Sequence, residues 1–233
     1  MRINLFLLLF LTSALFTFSA FGQTTPDRTE FQIWTETTLD IPIIKELDEN
    51  QKPSTKLSVF FVGTLRFGRP KIAAVDERIG AGFNWRIRKG LSYSSSYLYR
   101  YAEAVRGKPE YEHTIRFDLS AEKKWKHFSL KDRNRIEYRI RNNKPDSVRY
   151  RNKLTAKFPI KNDGKEIFAP FVATEPFFDF TGSQFSSNEF SAGITKKLNK
   201  NLSADVYYLN KANRSGTPKY INAIGVNLTI TLD

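Results

Sequence analysis

Residues 133–160 read RNRIEYRIR-NNKPDS-VRYRNKLTAKFPI, with charged and apolar side chains alternating on both sides of a central NNKPDS. Successive side chains of a strand point to opposite faces, so this period of two predicts two strands. The Asn-Asn-Lys-Pro-Asp-Ser stretch predicts the turn between them. The sequence therefore predicts a long antiparallel hairpin with an apolar face and a charged face, and the charged face carries Arg133, Arg135, Glu137, Arg139, Arg141, Arg149, Arg151, Lys153 and Lys157.

Such a charged face fits two classes of β-protein. In a soluble sheet the apolar face covers a core and the polar face meets water. In a membrane barrel the arrangement is inverted, because apolar side chains face lipid and polar ones face the lumen. Since the apolar face of this hairpin is broad and aromatic and the charged face is mostly guanidinium, we favour the barrel. A soluble periplasmic basic β-protein is the alternative.

The first 22 residues have the pattern of a secretory signal peptide. Arg2 supplies the positive start, Leu5–Phe18 is an apolar run, and Ala20-Phe21-Gly22 is a small-x-small cleavage site. We expect residues 1–22 to be removed, and residues 23–233 to form a single β-barrel domain. An exported chain with this composition is expected in the outer membrane of a Gram-negative envelope.

Composition excludes several kinds of site. The chain has no cysteine, which excludes disulfides and thiolate metal sites, and its two histidines, His113 and His127, lie in different segments. We therefore predict no metal and no cofactor. The formal net charge of +13 is that of many nucleic-acid-binding proteins. Because an exported protein rarely meets nucleic acid, and because the charges alternate along strands, we expect no nucleic-acid partner.

The same alternation continues in other segments. Tyrosines crowd one face of Leu91–Tyr101, as expected of a lipid-facing surface that ends in an interfacial girdle. The final segment alternates Ile224, Val226, Leu228 and Ile230 with small polar residues. The parity predicts that six side chains point outward to lipid: Tyr97, Tyr99, Ile136, Tyr138, Val226 and Leu228.

Eleven segments with this pattern can be counted, whereas single-chain bacterial barrels have an even number of strands. We therefore predict an all-β fold, a single antiparallel up-and-down transmembrane β-barrel of about 12 strands, with 10 as the second choice. Pro42–Leu47 is the expected place of a hidden strand.

The motif Arg133-x-Arg135-x-Glu137-x-Arg139, followed by Arg149-x-Arg151, resembles a bacterial family known as domain of unknown function 2490. The resemblance covers most of the mature chain, from the segment of Trp34 to the C-terminus. It implies an exported β-barrel with arginine-rich strands, and it implies no activity. The family pattern has an acidic-His-Arg triplet at the fifth strand, where this chain has Glu112-His113-Thr114.

The charged face has two interpretations. In the first, arginines and carboxylates of neighbouring strands form a structural network that fills the lumen. In the second, the excess of arginine makes a constriction that selects anions. A barrel of 10–12 strands has a narrow lumen, which favours the structural interpretation. The residues predicted to form this lumenal network are Arg133, Arg135, Glu137, Arg139, Arg149, Arg151, Glu112, Glu175 and Glu189.

One enzyme hypothesis rests on His127 and Ser129, which share a face of one segment. Some outer-membrane lipid hydrolases use a His-x-Ser pair with a nearby carboxylate, and base and nucleophile must lie within hydrogen-bonding reach. Ordinary polar residues beside a turn explain the pair more simply, so we expect no enzyme.

The expected function is accordingly that of an outer-membrane β-barrel, either a narrow anion-permeable channel of porin type or a passive structural barrel. A lipid-modifying hydrolase is the enzyme alternative. The expected partners are outer-membrane lipid and the barrel-assembly machinery, with a small anionic solute as the candidate ligand of the lumen.

Overall fold

A computed structural model describes residues 29–47, 51, 53–68, 73–103 and 108–232. The predicted signal peptide, residues 1–22, lies outside these described residues. In the part of the chain that is described, no helix is long and apolar enough to cross a membrane.

The described residues form twelve strands, which agrees with the predicted number and fold class. Most are long enough to alternate through five or more inward and outward side chains. Their bounds are β1 Thr29–Leu47, β2 Pro53–Gly68, β3 Ala73–Arg88, β4 Leu91–Ala102, β5 Glu110–Lys124, β6 Ser129–Arg141, β7 Ser147–Lys157, β8 Ile160–Asn162, β9 Lys165–Asp179, β10 Gln184–Lys197, β11 Leu202–Asn213 and β12 Tyr220–Thr231.

Eleven of these strands close into a barrel, and β8 pairs only with β9 at one rim. Neighbouring wall strands are antiparallel except at the closing seam, where β1 and β12 run parallel from Thr29↔Tyr220 to Asp40↔Thr231. An up-and-down wall with an odd number of strands leaves its first and last strands pointing the same way. The structure thus confirms the predicted antiparallel barrel for the rest of the wall and adds a parallel seam to it. Pro42–Leu47 does not form the hidden strand, because these residues continue β1.

The two ends of the barrel are named here after one glycine each. The Gly90 end carries the β1–β2, β3–β4, β5–β6, β7–β9 and β10–β11 connections, and the Gly216 end carries the other five. Lys89-Gly90 joins β3 to β4 in two residues. Gly90 has a φ of 74°, in the left-handed region that favours glycine, so this turn needs glycine at that position.

The outer surface of the wall is apolar and aromatic. Among the residues predicted to point outward, Tyr97, Ile136 and Tyr138 are 46%, 48% and 42% exposed. Tyr99 stacks on Tyr111 in a cluster of rings that also includes His113, whose Nδ1 lies 2.6 Å from the Tyr97 hydroxyl. Val226 and Leu228 share the parity of the exposed Ile224.

The inner surface combines charged residues with a small apolar cluster near the seam. Trp34, Leu209 and Ala223 are buried there, with Tyr207 and Ile221 packed against them. Tyr207 lies opposite Gly225 in the β11–β12 ladder and hydrogen-bonds to Asn227 Oδ1 at 3.2 Å. A Cβ at Gly225 would overlap the Tyr207 ring, so the missing side chain provides the space that this ring fills.

We expect Gly225→Val to lower the free energy of unfolding by about 1–3 kcal/mol, because the new side chain overpacks the interior against Tyr207. Urea titration of the refolded protein in detergent micelles measures this change. The control is Gly63→Val, where a Cβ meets nothing within 4 Å. In a Tyr207→Ala background the cost of Gly225→Val should fall, and an undiminished cost would contradict the assigned packing.

Candidate functional site in the lumen

Two cavities lined by described residues lie in the lumen, one toward each end of the barrel. The Gly216-end cavity has a volume of about 420 Å³ and the Gly90-end cavity one of about 480 Å³. Five residues line both cavities and therefore form a layer between them, which we call the central layer: Arg66, Arg78, Arg116, Arg151 and Glu189.

A first cluster of ion pairs, the hairpin cluster, is built on β6 and β7. Glu137 is 2% exposed and accepts hydrogen bonds from Arg149 at 2.5 and 2.8 Å and from Arg151 at 3.1 Å, across the hairpin. Arg135 lies 3.7 Å from the same carboxylate. Three guanidinium groups thus share one buried carboxylate, and charge-assisted bonds of this kind are among the stronger ones in proteins.

Carboxylates from neighbouring strands complete the hairpin cluster. Arg135 donates to both oxygens of Asp118 at 2.6 and 2.7 Å, a bidentate pair from β6 to β5. Glu175 on β9 accepts from Arg133 at 2.6 Å and from Arg151 at 2.8 Å. The cluster therefore connects four adjacent strands across the interior, and it extends to β10 and β11 through Glu189, which pairs with Lys211 at 2.9 Å.

A second cluster, the rim cluster, lies toward the Gly216 end. Glu112 accepts two bonds from Arg139, at 2.5 and 2.9 Å, and lies 3.9 Å from Arg100. Asp76 pairs with Arg78 at 2.5 Å and with Arg100 at 2.6 Å. No ion pair among the described residues joins this cluster to the hairpin cluster.

An aromatic ring supports the cations of the hairpin cluster. Phe177 is 1% exposed, and three cationic groups lie over its face: Arg151 at 4.1 Å, Lys211 at 4.8 Å and Arg149 at 5.2 Å from the ring centroid. Cations are attracted to the negative face of an aromatic ring, most strongly where water is excluded. Phe177 thus holds these side chains in the middle of the lumen.

Two arginines of the central layer have no carboxylate partner among the described residues. Arg66 stacks on Trp34 at 3.5 Å, and its Nε is buried without a hydrogen-bond partner. Arg116 donates to the Ser96 hydroxyl at 3.2 Å. The central layer therefore carries a net positive charge, because Glu189 is its single acidic side chain beside four arginines.

The nine residues predicted to form the lumenal network all have inward parity and all take part in ion pairs. They divide between two clusters, because Arg139 and Glu112 belong to the rim cluster. The sequence did not single out several further charged residues that line the lumen, although most of them share the inward parity of their segments: Arg66, Asp76, Arg78, Arg100, Arg116, Asp118 and Lys211.

The residues of the hydrolase hypothesis lie away from both clusters. His127 is exposed in the β5–β6 connection, and Ser129 is the first residue of β6, at the Gly90 end. Within the described part of the chain, no hydrogen bond joins their side chains. In the same part, no group of three or more His, Cys, Asp or Glu side chains could hold a metal ion.

Comparisons with known proteins give one family. The model of a family described as "Protein of unknown function (DUF2490)" matches residues 31–222. No curated protein sequence matches the chain. Among solved structures, an anion-selective porin from Comamonas acidovorans is similar, with 14% identity and a TM-score of 0.37. The alignment covers 78% of this chain and 57% of the porin, and a likeness of this degree does not bear on function.

We expect Glu137→Gln to destabilise the barrel by about 3–5 kcal/mol, because removing one partner of a buried ion pair leaves uncompensated charge. The matched control is Glu122→Gln. Its carboxylate pairs with the exposed Lys124 at 3.6 Å and makes no other ion pair among the described residues, so its loss should cost at most about 1 kcal/mol. Urea unfolding measures both changes. Equal costs for the two variants would contradict a structural role for the hairpin cluster.

Proposed function

The chain belongs to the DUF2490 family, as its arginine-rich hairpin predicted, and we propose that it is an outer-membrane β-barrel whose lumen passes small anions in preference to cations. The observation that carries the proposal is the charge of the central layer, with four arginines and one glutamate between two water-accessible cavities.

The distribution of side chains on the wall supports a membrane location. Large apolar and aromatic side chains are exposed on the outside of most wall strands, among them Ile79, Phe117, Ile136 and Val206. A soluble protein rarely exposes a continuous apolar surface of this extent. In a lipid bilayer the same surface is in its preferred environment, and a closed wall leaves no unpaired sheet edge.

The central layer supports selection by charge. Rings of arginine or lysine at a constriction attract anions and repel cations. Arg66 and Arg116 make no ion pair with a carboxylate among the described residues, although Asp76 and Glu137 lie opposite them in the neighbouring ladders, so their guanidinium groups can contact a passing solute. Arg151 and Arg78, in contrast, are held by Glu137, Glu175 and Asp76. The layer thus combines fixed arginines with two that have unused capacity for anions.

The size of the lumen supports small solutes. Side chains occupy much of an eleven-stranded lumen, and a path through the central layer has to pass between arginine side chains. Inorganic anions and small organic acids suit such a path better than large substrates.

Reconstitution in planar lipid bilayers tests the proposal. A salt gradient across the membrane should give a reversal potential of the sign expected for anion preference. Arg116→Gln should lower the anion-to-cation permeability ratio by about twofold or more, because it removes a positive charge of the central layer that makes no ion pair among the described residues. Lys161→Gln is the charge-matched control, since Lys161 is exposed on β8 outside the lumen, and it should leave the ratio unchanged.

The protein is first checked for insertion, by recovery in the outer-membrane fraction and by anomalous migration of the unheated sample in detergent gels. An inserted barrel that conducts no ions would overturn the channel proposal and would favour a passive structural barrel. A soluble protein that ignores heating would contradict the membrane location itself.

A further inference from the structure

The Gly90-end cavity has a wall of cations of which only Arg133 belongs to the ion-pair clusters described above, and none belongs to the central layer. Four cationic side chains line it on two adjacent strands, which are β6 and β7: Lys131, Arg133, Lys153 and Lys157. We call this set the lysine wall.

The β6–β7 register brings these cations close together. Arg133 lies directly opposite Lys153, Lys131 opposite Thr155, and Ser129 opposite Lys157. Side chains that face each other across two strands have Cβ atoms about 5 Å apart, and like charges in that position repel. The hairpin therefore brings four positive charges together at one end of the lumen at a cost in stability.

Ion pairs with carboxylates offset little of this charge, although Glu122 lies opposite Lys131 in the β5–β6 ladder. None of the three lysines makes a salt bridge to a carboxylate among the described residues. Arg133 donates to Glu175 at 2.6 Å, but Glu175 also serves Arg151, and the Nε of Arg133 is buried without a hydrogen-bond partner. The lysine wall therefore has positive charges that make no ion pair and N–H donors that are available to a ligand.

The rest of the cavity is large enough for a small molecule and is partly lined by aromatic rings. Its volume of about 480 Å³ is within the usual range of small-molecule sites. The rings of Phe60, Phe171 and Tyr207 contribute to its lining, so an organic solute would find apolar contacts beside the cations.

From these observations we propose that the lysine wall is a binding site for a small solute with two or more phosphate or carboxylate groups. Adjacent anionic groups of one molecule would bridge cations that otherwise repel, and Thr155 adds a hydroxyl between them. Lys131 is exposed, which gives a solute access from the Gly90 end. The site needs the lumen to be open at that end, and it does not need ions to cross the central layer.

Calorimetric titration of the full-length, refolded barrel in uncharged detergent tests the proposal. Pyrophosphate and citrate are the two probes, and inorganic phosphate is the comparison. Either or both of the first two should bind at least about tenfold more tightly than phosphate, because several charge-assisted contacts form at once. The probe that binds more tightly identifies phosphate or carboxylate groups as the preferred chemistry.

Variants locate the site. Lys153→Gln and Lys131→Gln should each weaken binding by about fivefold or more, since each removes a cation of the site. Both should fold, because neither lysine makes an ion pair with a carboxylate among the described residues, and heat-modifiable migration checks this. Lys161→Gln, outside the lumen, should bind as the parent does.

The proposal would be overturned if neither pyrophosphate nor citrate bound saturably. It would also be overturned if Lys131→Gln and Lys153→Gln left the binding unchanged. The outcome is distinguishable from that of the channel test. A barrel that binds pyrophosphate but conducts no ions keeps the site and loses the channel, and a barrel that conducts anions without binding either probe does the reverse.

Discussion

The structure depends on one constraint, which is that closing the sheet forces every inward-facing side chain into a narrow lumen. Alternation along each strand fills that space with arginine, and a buried guanidinium without a partner is costly. Carboxylates at other inward-facing positions offset this cost by pairing with the arginines. The clearest case is Glu137, whose carboxylate lies within 4 Å of three arginines. The outer wall follows from the same alternation, because the positions between the inward-facing ones point outward and most of them carry apolar side chains.

The odd number of wall strands gives the barrel its one irregular seam. A parallel pair forms where β12 meets β1, and the antiparallel pattern holds elsewhere in the wall. Near that seam part of the inner surface is apolar, because Trp34, Leu209 and Ala223 form a buried cluster there. The ion-pair clusters therefore cover only part of the inner surface, mainly on β3–β7 and β9–β11. Arg66, which lies beside the apolar region and stacks on Trp34, makes no ion pair with a carboxylate among the described residues, although Asp76 lies opposite it on β3.

Much of this could be predicted from the sequence, because parity is local information. The period of two around Ile136 and Tyr138 identifies strands, faces and the family, and it places the nine network residues on the inward face. Pairing is not local. The partners of Arg139 and Arg135 are Glu112 and Asp118, which the register across β5–β6 selects. The parallel seam was not predicted for a different reason. The chain has eleven alternating segments, and an odd number of wall strands requires a parallel pair, whereas the general rule of even strand numbers does not.

Because the chain has no cysteine, single cysteines introduced on one strand can show whether an apolar wall in lipid surrounds a polar lumen. Ser94, Ser95 and Ser96 are consecutive on β4, and Ser94 and Ser96 line the Gly90-end cavity while Ser95 pairs with the outward-facing Phe83 and Phe117. Each can be changed to cysteine and spin-labelled in lipid vesicles, and the accessibility of the label to oxygen and to a water-soluble nickel complex can be compared. If the wall faces lipid, the label at Ser95→Cys is reached mainly by oxygen, and the labels at Ser94→Cys and Ser96→Cys are shielded from lipid. Greater accessibility of the Ser95→Cys label to the nickel complex than to oxygen would contradict a lipid-facing wall.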